Sequence, residues 1–302
     1  MNLKVKIGKA SFKNPVTVAS GTFGHAEKYY SQDEVKSLGA IVPKTVTCYA
    51  QRGNPPVRIV ETPSGMLNAI GIENPGPDEF IAKKLPALLK TGVPVIISVL
   101  GYDDDQFVEV VRKFDGIKGV AAIELNLSCP NLKHKNLIAQ DPGATGRLVG
   151  KIKKITQAPL IAKLSPNVTD ITVIAKAAED AGADAVSLIN TFTGMVIDIE
   201  KRKSMLGNFT GGLSGPAIRP LAVHMVHRVY KTVKVPIVAM GGIMNARDAI
   251  EFIIAGAAMV AVGTANFINP RTPIDVLEGI KDYLKRHHIS DIDKLRGSLI
   301  TP

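Results

Sequence analysis

The 302-residue chain has no tryptophan, only 5 % aromatic residues and two cysteines, Cys48 and Cys129. Two cysteines exclude a disulfide-rich scaffold, a CxxC zinc site and a four-cysteine iron–sulfur cluster within this chain. Long hydrophobic runs are also missing. The most apolar stretch, 252–262, is too short for a bilayer span and contains Gly256. The opening MNLKVKIGKASF lacks the apolar centre of a signal peptide. A soluble, cytoplasmic protein is therefore expected. Dinucleotide and phosphate-loop fingerprints are absent too: no GxGxxG follows the first apolar run, and no GxxxxGK[ST] occurs anywhere. Lys and Arg number 37 against 27 Asp and Glu, a net charge of +10. A nucleic-acid-binding protein would fit that charge. However, the basic groups, such as Lys83-Lys84, Lys153-Lys154 and Lys201-Arg202-Lys203, are spread along helical patterns without interleaved stacking rings.

What is present is a repeat of short apolar runs and longer amphipathic stretches, with 45 % hydrophobic residues and no linker-like segment. The runs 16–19, 40–44, 95–99, 122–126, 160–163, 185–189, 237–240 and 259–262 are continuous in hydrophobicity and rich in β-branched residues. Strands buried on both faces of a parallel sheet have this character. Between them, 104–114, 146–156, 169–181 and 245–255 carry apolar residues at helical spacing, with Thr169 as a cap and Gly182 and Gly256 as stops. About eight strand–helix units predict an α/β fold of the TIM (β/α)8 barrel type, in one domain over 1–302. A doubly wound sheet is the alternative. The residues 3–7 and 11–12, split by Gly8, predict a short N-terminal β-hairpin plugging the barrel bottom. A minimal barrel needs about 250 residues, so roughly 50 are surplus. The surplus falls in the post-strand segments 46–76, 127–143 and 190–215, which predict long loops at the C-terminal face, where barrel active sites form.

Polar residues recur where the apolar runs end: Ser20, Lys44-Thr45, Ser98, Glu124, Asn126, Lys163, Asn190-Thr191, Gly241-Gly242 and Gly263-Thr264. A lysine there is costly to bury unless it snorkels, pairs with a carboxylate such as Glu124, or meets an anion. Two lysines at equivalent barrel positions point to an anionic ligand. The glycines after strands seven and eight let backbone N–H groups approach a phosphate, at the usual phosphate site of a barrel. Asn68, Asn74, Asn126, Asn131 and Asn190 offer uncharged donors and acceptors, which suits a small ring rich in C=O and N–H groups. Cys48 reads as an inert buried thiol. Cys129 differs, because it lies on a predicted active-face loop where an activated thiol can act as a general base. His224 and His227 form HxxH without a third ligand, and no metal site is expected.

Several motifs then occur in a telling order. They are Ser20-Gly-Thr-Phe-Gly24, Pro43-Lys-Thr45, Asn68-Ala-Ile-Gly-Ile72 with Asn74-Pro-Gly76, Asn126-Leu-Ser-Cys-Pro-Asn131, Gly211-Gly-Leu-Ser-Gly215 and Gly241-Gly-Ile243. In these the chain resembles, over nearly its whole length, the catalytic subunit of class 1 dihydroorotate dehydrogenase. That family uses FMN to oxidise dihydroorotate to orotate in pyrimidine synthesis. The resemblance implies FMN contacts from Ser20, Lys44, Thr45, Ser98, Asn126, Lys163, Ile189, Gly215, Gly241, Gly242, Gly263 and Thr264. It implies a substrate site made by Lys44, Asn68, Ala69, Ile70, Gly71, Ile72, Asn126, Asn131, Asn190 and Thr191. Cys129 matches the base that removes the C5 proton while hydride leaves C6 for flavin N5. Ser98 departs from the asparagine often found at its position.

Within class 1, one type is a fumarate-reducing homodimer. The other pairs with a subunit carrying FAD and an iron–sulfur cluster and reduces NAD. The segments Gly119-Val-Ala-Ala-Ile-Glu-Leu125 and Pro130-Asn-Leu-Lys-His134 resemble the second type. A homodimer, or a heterotetramer with that electron-transfer subunit, is the implied assembly. An FMN barrel reducing another pyrimidine is the competing enzyme.

Overall fold

A computed structural model describes residues 1–24, 32–128 and 138–300. Its frame is a parallel sheet of 8 strands. In chain order they are Val16–Val18, Val46–Thr47, Val95–Leu100, Val120–Asn126, Leu160–Lys163, Ala185–Leu188, Ile237–Ala239 and Met259–Val262. From the second to the eighth, each pairs with the next in the chain, and the eighth pairs with the first. The remaining seam is joined where Gly39 N–H donates to Val16 O at 2.9 Å and Thr17 Oγ1 to Ala40 O at 2.9 Å. The sheet therefore closes on itself as the expected (β/α)8 barrel, not as a doubly wound sheet. Helices on the outside cover apolar strand faces, which is why Val95–Leu100 and Leu160–Lys163 are buried at every position.

The second strand departs from expectation. Regular pairing lies at Val46–Thr47, with a single bridge from Ile41 to Val95, and not along 40–44. Pro43 stands in that interval and has no N–H to give the ladder. Helix starts are set by side-chain caps. Asp103 accepts from Gln106 N–H at 2.9 Å ahead of Asp104–Phe114, and Asn245 accepts from Asp248 N–H at 3.1 Å ahead of Ala246–Ala255. The helix Ile171–Asp180 is capped by Asp170, not Thr169. The expected 146–156 helix runs instead over Pro142–Lys153, because Asp141 caps it and Pro142 fits its first turn.

The N-terminal hairpin pairs Val5–Ile7 with Ala10–Phe12 around Gly8, whose φ of +52° is a turn conformation glycine accepts freely. Val5, Ile7 and Phe12 pack with Ile96, Ala122, Ile161 and Val238 from the barrel interior. The hairpin is the plug that the sequence predicts.

At the opposite end two of the long segments prove to be ordered. Ile59–Thr62 and Gly65–Asn68, after strand two, join Gly211–Ser214 and Phe192–Gly194, after strand six. Together they form an antiparallel sheet of 4 strands over the barrel mouth, with its own small core of Val60, Leu67, Ala69 and Leu206. Among the described residues no helix is long and apolar enough to cross a membrane.

Candidate functional site

A cavity of about 750 Å³ lies between the C-terminal ends of the barrel strands and this sheet. Ser20, Lys44, Thr45, Asn126, Lys163, Ile189, Gly215, Gly241, Gly242, Gly263 and Thr264 line it. So do Asn68, Ala69, Ile70, Ile72, Asn190 and Thr191. Residues at or after the ends of seven of the eight strands, far apart in sequence, thus meet in one place. Cys129 and Asn131 lie outside the described residues, although Ser128, immediately before them, is on the cavity wall.

Three of the expected residues are not among those that line the cavity. Ser98 is fully buried and does not reach the cavity; it stands behind Thr45. Gly71 is not on the wall either, since it turns against Asn54, whose backbone N would lie 2.5 Å from a Cβ at that position. Asn74 is also away from the cavity. It is a buried clasp that donates to Thr47 Oγ1 at 2.8 Å and to Ile72 O at 2.7 Å. It reads as a ligand group in sequence because turn asparagines and ligand asparagines share one composition.

The floor of the cavity is a polar layer inside the barrel. Ser20 Oγ donates to Pro43 O at 2.8 Å, which uses its only proton. The 3.0 Å contact with Thr45 Oγ1 must then be donated by Thr45, and the 3.0 Å contact between Thr45 and Ser98 must be donated by Ser98. Pro43 O therefore fixes the direction of the hydroxyl chain, and Ser98 ends it from below. Beside it, Glu124 Oε2 accepts from Ser187 Oγ at 2.8 Å, and Glu124 Oε1 lies 3.6 Å from Lys163 Nζ. Lys44 is held below the ordinary lysine pKa, first by burial and then by the Lys163 charge, with Glu73 acting in the opposite direction.

Amides form the wall near strands four and six. Asn190 Nδ2 donates to Ser128 Oγ at 2.9 Å and to Asn126 Oδ1 at 3.3 Å. Asn126 Oδ1 also accepts from Ser128 N–H at 3.3 Å. Asn68 is tied to the covering sheet through Gly212 O at 3.2 Å. Asn167 is a wall residue that the sequence analysis passed over. It donates to Thr191 O at 3.0 Å and accepts from Thr193 N–H at 2.9 Å, fastening the covering sheet to the loop after strand five. Its place four residues past a buried strand was the available signal.

The glycine turns after strands seven and eight close the far end. Gly242 has φ of +76°, and a Cβ there would lie 2.7 Å from Gly215 O, so only glycine fits. Among the described residues the backbone N–H groups of Gly241, Gly242, Gly263 and Thr264 donate to nothing. Together they form a cradle of fixed donors suited to an anion. Asp248, buried and paired with Arg219, accepts from Met244 N–H at 2.9 Å and steadies this turn.

The family model described as dihydroorotate dehydrogenase matches residues 2–284. The chain belongs to the dihydroorotate dehydrogenase family. Similar curated proteins from this family include one from Trichlorobacter lovleyi, 49 % identical over 298 residues and 98 % of each chain. One from Alkaliphilus metalliredigens is 50 % identical over 300 residues and 99 % of each chain. One from Lachnoclostridium phytofermentans is 51 % identical over 298 residues, 98 % of this chain and 99 % of its own. All three carry the name "Dihydroorotate dehydrogenase B (NAD(+)), catalytic subunit". As a dihydroorotate dehydrogenase family member, the chain is matched end to end and not in one segment. Its cavity residues come from the whole length over which it aligns.

Proposed function

We propose that this chain oxidises dihydroorotate to orotate with FMN, and that its electrons reach NAD through a partner subunit. The observation that carries this reading is the meeting of two lysines, a set of amides and a free N–H cradle in one cavity. A volume of about 750 Å³ suits a cofactor with a small substrate. The residues fit FMN: the glycine cradle for the phosphate, and Ser20, Thr45, Asn126, Lys163, Ile189 and Gly215 for the remainder. Ser98 acts in this reading through Thr45. Bound FMN would supply the two-electron acceptor for the hydride that leaves C6.

The chain's own groups do the rest. Lys44 attracts the substrate carboxylate. Asn68, Asn126 and Asn190 read the alternating C=O and N–H groups of the ring, and Asn131 and Thr191 are assigned to the same substrate set. Ala69, Ile70 and Ile72 exclude water around it, which strengthens these polar contacts. Cys129 takes the C5 proton as general base. Lys163 offsets negative charge that builds up on the cofactor side.

With two cysteines in the whole chain, a four-cysteine iron–sulfur cluster belongs to a second subunit, and this reading assigns FAD to the same partner. The three relatives' name, with NAD and a catalytic subunit in it, supports that arrangement over a fumarate-reducing homodimer. A soluble cytoplasmic complex with no nucleic-acid role completes the reading.

FMN-loaded protein should be bleached by dihydroorotate without oxygen, and far less by dihydrouracil, which lacks the carboxylate. A loaded protein that stays oxidised with dihydroorotate overturns the reading. Co-purification of a flavin- and iron-bearing chain decides the acceptor; fumarate turnover by the chain alone would replace NAD.

A further inference from the structure

Glu124 is an expensive residue in an unusual place. It points into the barrel interior from strand four with its side chain 3 % exposed. One oxygen, Oε2, accepts from Ser187 Oγ on strand six at 2.8 Å. The other, Oε1, has no hydrogen-bond partner among the described residues. Its nearest cation is Lys163 Nζ on strand five, at 3.6 Å, too far for a hydrogen bond but close enough for an ion pair.

Lys163 is buried as well, with its side chain 7 % exposed, yet it lines the cavity. No described residue accepts a hydrogen bond from its ammonium. Glu124 thus neutralises the Lys163 charge without using any of its three N–H donors. A hydroxyl or an amide at position 124 would satisfy Ser187 equally well. Only a carboxylate also balances the ammonium.

We propose that Glu124 is a positioning residue that sets the reduction potential of the bound flavin through Lys163. The inference rests on the reading that the cavity takes FMN. A lone ammonium on the wall of a cavity whose cofactor gains electrons would favour the reduced form strongly. An ammonium balanced by Glu124 favours it less while still donating hydrogen bonds. The pair keeps the flavin able to pass its electrons on, which a turnover cycle requires.

The test is a charge cycle on the FMN-loaded protein, with the flavin potential measured against a reference dye. Glu124→Gln keeps the shape and the Ser187 contact but removes the charge. It should raise the two-electron reduction constant of the flavin about tenfold or more, which is about 30 mV. In the Lys163→Gln background the ammonium through which Glu124 acts is gone. There the second change, Glu124→Gln, should leave the constant within about threefold.

An unshifted potential in Glu124→Gln, or an equal shift in both backgrounds, overturns the proposal. Should Glu124→Gln alone not fold, the comparison of Lys163→Gln with the double variant still decides. Neutral replacement of a buried pair is usually tolerated. A difference above threefold between those two means that Glu124 acts without Lys163 and overturns the proposal. Failure of the wild-type chain to take up FMN would instead sink the cavity reading, a result distinct from a loaded protein with unchanged potential.

Discussion

Thr264 Oγ1 donates to Ser214 Oγ at 2.8 Å, joining the turn after the last barrel strand to the sheet over the mouth. The bond crosses the cavity edge beside Gly215, Gly242 and Gly263. It fixes the distance between the proposed phosphate cradle and its cover.

Ser214→Ala should therefore loosen FMN without unfolding the barrel. One neutral hydrogen bond contributes about 1 kcal/mol, which corresponds to roughly a fivefold weaker Kd. Fluorescence titration of the apoprotein with FMN measures it. An unchanged Kd would separate the cover from the cradle.

Lys44 gives a pH dependence. Burial and the Lys163 charge hold it below 10.5, so it loses its proton at lower pH than an ordinary lysine. Orotate affinity should fall as pH rises through that lowered value, and Lys44→Met should bind weakly with no such step. Stability should move the other way. Between the lowered value and 10.5 the unfolded chain binds more protons at this site than the folded one, so folding gains with rising pH. Any stability advantage of Lys44→Met should accordingly shrink across that window in denaturant titrations.

Asp170 caps the helix Ile171–Asp180 by accepting from Thr172 N–H at 2.9 Å and from Thr172 Oγ1 at 2.7 Å. These bonds, and after them Arg228, hold its carboxyl below the usual range. Asp170→Ala should cost about 1 kcal/mol. In the wild type that contribution is present at neutral pH and is lost as pH falls through the lowered folded value. Urea midpoints at pH 7 and in acid check both statements.

Cys48 should be silent toward alkylating reagents. Burial first, then Glu109, pushes its thiol up to about 11, so almost no thiolate exists near neutral pH. Native Cys129→Ser protein should take up no iodoacetamide at pH 7.5, and the same protein in denaturant should take up one equivalent. Rapid labelling of the native variant would mean that Cys48 is exposed.

Much of this was legible in sequence because buried parallel strands leave an unmistakable pattern. Leu160–Lys163 and Met259–Val262 have the expected bounds for that reason. The polar residues ending those strands also pointed to one mouth, since a barrel forces all its strand ends to one rim. The covering sheet was not legible. Its central pairing crosses 144 positions, Asn68 with Gly212, and Gly211-Gly212 carries no side-chain alternation to mark a strand. Nor could spacing separate Asn74 from Asn68, or Ser98 from Thr45. Those distinctions depend on which way a side chain turns at the end of its element, and that is decided by packing. Glu124 was visible as a residue at a strand end, but its orphaned oxygen required three strands to be placed together.

The hairpin of Val5, Ile7 and Phe12 gives the barrel a sealed base. Among the described residues, the cavity therefore opens at the rim where the covering sheet stands. A cofactor and a substrate sharing one doorway cannot exchange independently: whichever sits nearer the rim detains the other. Flavin release should therefore slow when orotate is bound, a kinetic coupling imposed by a short hairpin at the far end of the molecule.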